Sequence, residues 1–146
     1  MVNILNKTFL AAAILSGTIA PGISYAQTTD ISPVPQSIQW GEHVAFNNDV
    51  AYAITGKETA DTDAINLFKK NFSTENGTVE VIIGERGDEA VSAYESLIPN
   101  KAESYYLAID GNKVVIAGND GNGTFYGVQT FIQIASQPEV MNVTVT

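Results

Sequence analysis

The sequence has 146 residues, 45% of them hydrophobic and 16% charged, which suits one folded domain and excludes an intrinsically disordered chain. Sixteen acidic and seven basic residues give a net charge of −9, so nucleic acids and anionic membranes are poor partners because both are negatively charged. The chain has no cysteine and one histidine, His43, which excludes disulfides, thiolate metal sites, a cysteine nucleophile and multi-histidine metal sites.

The first 26 residues have the pattern of an export signal. Lys7 supplies a short basic region, Phe9–Leu15 is apolar, and Ser24-Tyr25-Ala26 places small residues at a cleavage site. Pro21-Gly22 ends the apolar run well short of the roughly 20 residues that span a bilayer. We therefore expect cleavage after Ala26, a secreted or periplasmic product, and no membrane span.

The domain begins with extended segments. Pro33-Val34-Pro35 enforces extended backbone. Ser37–Trp40 and His43–Phe46 flank Gly41-Glu42, which predicts a β-hairpin with a two-residue turn. A further short strand is predicted at Val50–Ile54.

Helical spacing follows, interrupted by one strand. Ile65, Phe68 and Phe72 predict a helix that starts near Asp61 as N-cap and has Lys69-Lys70 late in the run. The next two elements are a buried central strand and a short helix stopped by proline. Their positions are Val79–Ile83 for the strand, and Val91, Tyr94, Ile98 and Pro99 for the helix.

The last third of the chain has the clearest pattern. Tyr105–Ile109 and Val114–Ile116 alternate about a turn, which predicts a β-hairpin. The Gly-rich stretch Gly118–Gly123 then leads into a helix over Thr124–Ala135. That helix is apolar over most of its circumference, so both of its sides must be covered. The sheet covers one side, and we predict that the other is a docking surface.

Together these elements predict an α+β fold, with helices packed on a largely antiparallel or mixed sheet. Val140–Val145 supplies a final extended piece. We assign residues 1–26 to the signal peptide, 27–32 to a linker and 33–146 to the domain.

No segment supplies a self-sufficient active site. Gly118–Gly123 matches neither a dinucleotide fingerprint, nor a P-loop, nor a calcium loop, and Asp120 or Asn122 is expected to cap the following helix. His43 lies in a strand with no nucleophile elbow nearby. Four acids that a glycosidase pair would need are interpreted as a solvated face and a helix start: Glu80, Glu85, Asp88 and Glu89. We predict no catalytic, cofactor-binding or metal-binding residue.

Three aromatic residues, Trp40, Tyr105 and Tyr106, are candidates for a sugar-stacking platform. Aromatic residues at strand spacing more often belong to a core or an interface. Both interpretations are kept.

A family resemblance rests on five segments: Pro33–Ile38, Ile83–Asp88, Ile98-Pro99, Glu103–Leu107 and Ala117–Phe131. All but the first resemble the N-terminal domain of bacterial family 84 glycoside hydrolases, relatives of O-GlcNAcase of the kind found in gut Bacteroides. The first resembles the Pro-x-Pro-Gln start shared with family 20 β-hexosaminidases, whose second domain has the same fold.

The resemblance implies an accessory domain packed on a (β/α)₈ barrel that removes β-linked N-acetylglucosamine. It also implies a substrate-assisted retaining mechanism, in which paired acids of the barrel assist. Those acids follow this domain in the family, so none is carried over here. The spare face of the helix at about 124–135 would meet the barrel.

Four functions remain open from the sequence. The leading hypothesis is the non-catalytic N-terminal domain of a secreted or periplasmic β-N-acetylglucosaminidase. The alternatives are a free-standing glycan-binding module, a self-sufficient small hydrolase, and an interaction module that docks on a separate chain.

Overall fold

The computed structural model describes residues 31–44, 52–55, 62–74, 76–137 and 140–146. The predicted signal peptide and most of the predicted linker lie outside these ranges. The elements in chain order are strands β1 (Ile38–Val44) and β2 (Tyr52–Thr55), helix α1 (Thr62–Asn71), strand β3 (Val79–Glu85), a 3₁₀ helix (Glu89–Leu97), strands β4 (Tyr105–Asp110) and β5 (Lys113–Gly118), helix α2 (Gly121–Ala135) and strand β6 (Val140–Val145).

The strands form one mixed sheet in the order β1-β6-β4-β5-β3-β2. Neighbours are antiparallel from β1 to β5, whereas β3 is parallel to both β5 and β2. The hairpin of β4 and β5 closes tightly because Asp110 pairs with Lys113, and Gly111 takes the positive φ of +57° that such a turn needs. The predicted α+β fold with a mixed sheet is confirmed.

Both α-helices pack on one face of the sheet. Alternate residues of the strands point towards them and are fully or almost fully buried, as expected for a pleated strand with one side in the core. Phe131 of α2 lies at the centre of this layer, with its ring 5.8 Å from that of Phe68 and 5.2 Å from that of Phe72. The main strand residues on this face are Val81, Ile83, Leu107, Ile109, Val114 and Ile116.

The 3₁₀ helix covers part of the opposite face. Its Val91, together with Ile98, packs on Ile82, Val115 and Ala117 in a second, smaller hydrophobic cluster. Hereafter we call this side of the sheet the open face, since the two α-helices lie on the other side. The sheet therefore has one fully covered face and one partly covered face.

The predicted hairpin at residues 37–46 is wrong. β1 is one continuous strand that pairs with β6, and the register shifts by one residue between Trp40 and His43. Gly41-Glu42 therefore forms a bulge in an edge strand, not a turn. Alternation on both sides of a Gly-containing dipeptide fits both structures, and the pairing strand lies about a hundred residues away in the sequence.

Two features of α2 also differ from expectation. The helix begins at Gly121, not near Thr124, because Asp120 caps it. Part of its second side is covered within the domain, since Phe68 of α1 and Phe72 just after α1 pack against Phe131. The predicted positions of α1, β2, β3, the short helix, the β4–β5 hairpin and β6 agree with the structure to within a few residues.

Candidate functional site

The Gly-rich stretch before α2 is a structural junction. The Asp120 carboxylate accepts hydrogen bonds from the backbone N–H of Gly123 at 2.8 Å and of Glu103 at 2.8 Å. This carboxylate occupies the helix N-terminus, the position that a phosphate would take in a nucleotide site. The sequence interpretation of Asp120 as a cap is confirmed.

The glycines at this junction allow close packing. A Cβ atom at Gly118 would collide with the backbone of Thr124, and one at Gly123 would collide with the carbonyl of Ser104. The Thr124 hydroxyl donates to the Gly84 carbonyl oxygen at 3.1 Å, which ties α2 to the end of β3. The backbone approaches needed here explain why glycine recurs, with no bound ligand required.

Arg86 joins three segments that carry the family resemblance. Its Nε donates to Asn119 Oδ1 at 2.9 Å. Its Nη1 and Nη2 donate to the carbonyl oxygens of Glu95 at 3.2 Å and Ile98 at 2.7 Å. The guanidinium thus holds the end of β3, the 3₁₀ helix and the loop before α2 together, and we call this arrangement the Arg86 clasp.

The acids considered as a glycosidase pair each have a different local structural role. Glu80 lies on β3 beside Lys113 of β5, with 3.8 Å between Oε2 and Nζ. The Asp88 carboxylate accepts from the Glu85 backbone N–H at 2.9 Å and so shapes the turn after β3. Glu89 starts the 3₁₀ helix, as the sequence indicated.

Tyr105 and Tyr106 point to opposite faces of the sheet, since consecutive strand residues alternate. Tyr105 is only 7% exposed, and its hydroxyl is 2.7 Å from Thr130 Oγ1 inside the core. Burial raises the pKa of the Tyr105 hydroxyl, partly offset by this hydrogen bond. The hypothesis that Tyr105 belongs to a sugar-stacking platform is therefore wrong. Trp40 and His43 lie in β1, and their side chains lie outside the described part of the structure.

Tyr106 instead faces the open side of the sheet. Its ring stacks on that of Tyr94 from the 3₁₀ helix, with 6.2 Å between ring centroids and 20° between planes. The sequence places Tyr94 in a short helix but does not predict its pairing with Tyr106. The alternation of Tyr105 and Tyr106 is the signal that could have separated the two tyrosines.

The outer face of α2, defined as Phe125, Tyr126, Gln129 and Ile132, is the candidate docking surface. Three of its four side chains are apolar or aromatic, and all are half-buried within this domain. Phe125 and Tyr126 meet edge to face at 6.3 Å.

An open cleft of about 260 Å³ adjoins Tyr126. Pro33–Gln36 and the loop Lys101–Ser104 form its walls, and Thr146 also lines it. Val34 in this cleft is 88% exposed. The outer face of α2 and this cleft therefore meet at Tyr126, and the cleft also borders Thr146.

Among the residues described, no group of His, Asp and Glu side chains is arranged to hold a metal ion. Within the same ranges, no helix combines the length and apolar character needed to cross a membrane.

Residues 28–146 match the family model of glycosyl hydrolase family 20, domain 2. The chain belongs to this family. The match covers nearly all of the sequence after the predicted signal peptide, and it confirms the resemblance stated from the motifs. The chain is therefore an accessory domain of the glycoside hydrolase type, and the described residues contain no catalytic barrel.

Solved structures agree with this assignment. CpGH84B is 26% identical, with a TM-score of 0.62, over 80% of this chain and 22% of its own. A β-N-acetylhexosaminidase from Bacteroides fragilis shares the fold at 15% identity and a TM-score of 0.53, over 79% of this chain and 24% of its own. An exo β-N-acetylglucosaminidase from Vibrio harveyi also shares the fold. Its identity is 14% and its TM-score 0.53, over 77% of this chain and 18% of its own. The chain spans about a fifth to a quarter of the length of these proteins.

Proposed function

We propose that this domain is the N-terminal accessory part of an exported β-N-acetylglucosaminidase. The match of residues 28–146 to a hydrolase accessory domain carries the proposal. Two of the similar structures are named as enzymes that act on β-linked N-acetylhexosamines, which supports the substrate class. The reaction is glycoside hydrolysis with retention, assisted by the substrate's own acetamido group.

In this proposal the domain supplies no reacting group. The catalytic acids belong to a (β/α)₈ barrel in another part of the protein. Asp120, which lies within the Gly-rich stretch of this chain, accepts hydrogen bonds from two backbone N–H groups as a helix cap. The role of the domain is to support the barrel by packing against it.

The outer face of α2 is the surface proposed to meet the barrel. A helix with an apolar outer side buries that side when a partner covers it. The adjoining cleft is lined by Thr146, so a polypeptide continuing beyond this residue would leave the domain beside Tyr126.

The activity is tested by comparing the 146-residue chain with a protein that also carries the downstream reading frame. The substrate is a chromogenic N-acetyl-β-glucosaminide. We expect turnover by the longer protein and none by the 146-residue chain. Turnover by the short chain, or none by a folded longer protein, would contradict the proposal.

The docking surface is tested in the longer protein with Tyr126→Asp. A charge at a buried interface is costly, so we expect Tyr126→Asp to lower the Tm of the longer protein more than that of the 146-residue chain, in which Tyr126 is only half-buried. Leu97→Asp is the matched control, because Leu97 is also a large apolar residue, 48% exposed, but lies on the 3₁₀ helix. Equal loss of Tm in both variants would reject this surface.

Export is tested by expressing the chain with its first 26 residues and sequencing the N-terminus of the product. We expect the exported protein to begin at Gln27. A product that stays in the cytoplasm with Met1 intact would overturn this part of the proposal.

A further inference from the structure

A groove crosses the open face of the sheet. One row of cross-strand neighbours runs through Val115, Ala108, Thr144 and Gln39, from β5 through β4 and β6 to β1. Ala108 and Val115 line the cavity, which has a volume of about 420 Å³. Ala108 is small, so it leaves a recess between its larger neighbours. This volume lies within the range of about 300–1,000 Å³ that is typical of small-molecule sites.

Two tyrosines form one wall of the groove. The rings of Tyr94 and Tyr106 lie 6.2 Å apart and nearly parallel. The Tyr106 hydroxyl forms a hydrogen bond with Thr144, and burial keeps its pKa above the ordinary value, so it stays protonated at neutral pH. The wall therefore offers flat apolar carbon together with hydroxyl groups that donate and accept.

The rest of the groove is polar and carries both charges. Asp110 and Lys113 form a direct cross-strand pair at its end, and Gln39 adds an amide from β1. The Lys113 ammonium lies 5.8 Å from the centre of the Tyr94 ring and 3.8 Å from Glu80. Two carboxylates thus accompany this one ammonium, in a chain whose net charge is −9. This balance disfavours a phosphorylated or otherwise anionic ligand.

We propose that this groove binds a neutral saccharide of one or two rings. A pyranose has an apolar C–H face, which suits an aromatic wall, and a rim of hydroxyls, which suits amide, hydroxyl, carboxylate and ammonium partners. A purely apolar ligand would remove water from Gln39, Asp110 and Lys113 without offering them hydrogen bonds, which is unfavourable.

The proposal does not depend on an attached catalytic barrel. The groove lies on the open face, whereas the outer face of α2 lies on the opposite side of the sheet. Both surfaces are therefore accessible at the same time. Saccharide binding by the 146-residue chain and hydrolysis by a longer protein can succeed or fail separately.

The experiment titrates the ¹⁵N-labelled 146-residue chain with N,N′-diacetylchitobiose and, in a second series, cellobiose, up to high millimolar concentration. Amide NMR signals report folding and binding together. We expect saturable shifts of Tyr94, Tyr106, Asp110, Lys113 and Thr144 with at least one sugar, and unshifted signals from α2. No shift with either sugar, or shifts confined to α2, would overturn the proposal.

Variants locate the site. Tyr106→Ala is expected to weaken binding roughly tenfold, and Gln39→Ala, a change at a more exposed position, severalfold. Tyr126→Ala is the matched control, because it removes a half-buried tyrosine from the outer face of α2, and its affinity should equal that of the unaltered chain. If Tyr106→Ala does not fold, the affinity of Gln39→Ala alone tests the location of the site. Unchanged affinity in a folded groove variant would refute the site.

Discussion

The two faces of the sheet are built from the same strands and differ in what covers them. On the face under α1 and α2, Leu107 and Val114 are fully buried. On the open face, the neighbouring residues Ala108 and Lys113 stay partly accessible and line a groove. Because side chains alternate along β4 and β5, the same two strands contribute apolar residues to the core and polar residues to the open face.

This difference indicates which face of the sheet tolerates substitutions and which does not. The covered face is filled by aromatic and β-branched side chains that touch many neighbours, so changes in volume there are costly. The open face is held mainly by the 3₁₀ helix and the Arg86 clasp. Substitutions should therefore separate the two faces by the size of their effect on stability.

Phe131→Ala is the change expected to break the covered face most severely. Phe131 is fully buried between Phe68 and Phe72, so its loss should reduce the free energy of unfolding by about 3–5 kcal/mol. Urea denaturation monitored by circular dichroism measures this change. Tyr94→Ala is the matched aromatic change on the open face and should cost about 1 kcal/mol. Equal costs would contradict the distinction between the faces.

Arg86→Ala is expected to loosen the 3₁₀ helix from the partly covered face of the sheet. It removes three side-chain hydrogen bonds and leaves the carbonyls of Glu95 and Ile98 without this donor, so we expect a loss of about 2 kcal/mol. Hydrogen exchange should increase in the 3₁₀ helix and remain slow in α2. Arg86→Lys keeps the charge but not the fork of donors, and should recover less than half of the loss. Complete recovery by lysine would show that charge, not geometry, matters here.

Asp120→Ala should act on one end of α2 and cost about 1 kcal/mol, because two backbone N–H groups lose their acceptor. Asp120→Asn keeps an acceptor oxygen and should cost less. Thermal unfolding of the two variants gives the comparison. An asparagine variant less stable than the alanine variant would mean that the side chain is not acting as a cap.

The sequence predicted the elements whose pattern is local. The spacing of Ile65, Phe68 and Phe72 located α1, and the alternation around Gly111 located the hairpin. It did not predict the bulge at Gly41-Glu42, because the pairing of β1 with β6 is set by distant residues.

The candidate sites divide in the same way. The apolar circumference of α2 indicated a covered helix, but only tertiary packing shows that α1 supplies part of the cover. The sequence named Tyr106 as a sugar-stacking candidate, but it could not show the groove, because the groove combines residues from β1, β4, β5, β6 and the 3₁₀ helix. Its aromatic wall needs Tyr94 and Tyr106, which are brought together by the packing of the 3₁₀ helix on the sheet.

The variants Tyr105→Phe and Tyr106→Phe compare the two faces of the sheet, because these neighbouring tyrosines point to opposite sides. Burial raises the folded-state pKa of both hydroxyls, and Tyr105 is the more deeply buried. An unfolded chain loses these protons near pH 10. The free energy of unfolding should therefore fall as the pH rises above 10, until the folded-state pKa is passed.

Tyr105→Phe should cost about 1 kcal/mol at pH 7, since the bond to Thr130 is lost, yet it should make the loss of stability above pH 10 less steep. Tyr106→Phe should change the slope less, because its side of the sheet is partly open to water. Urea denaturation from pH 8 to 11 tests this order, and a larger slope change in Tyr106→Phe would reverse the assignment of the two faces.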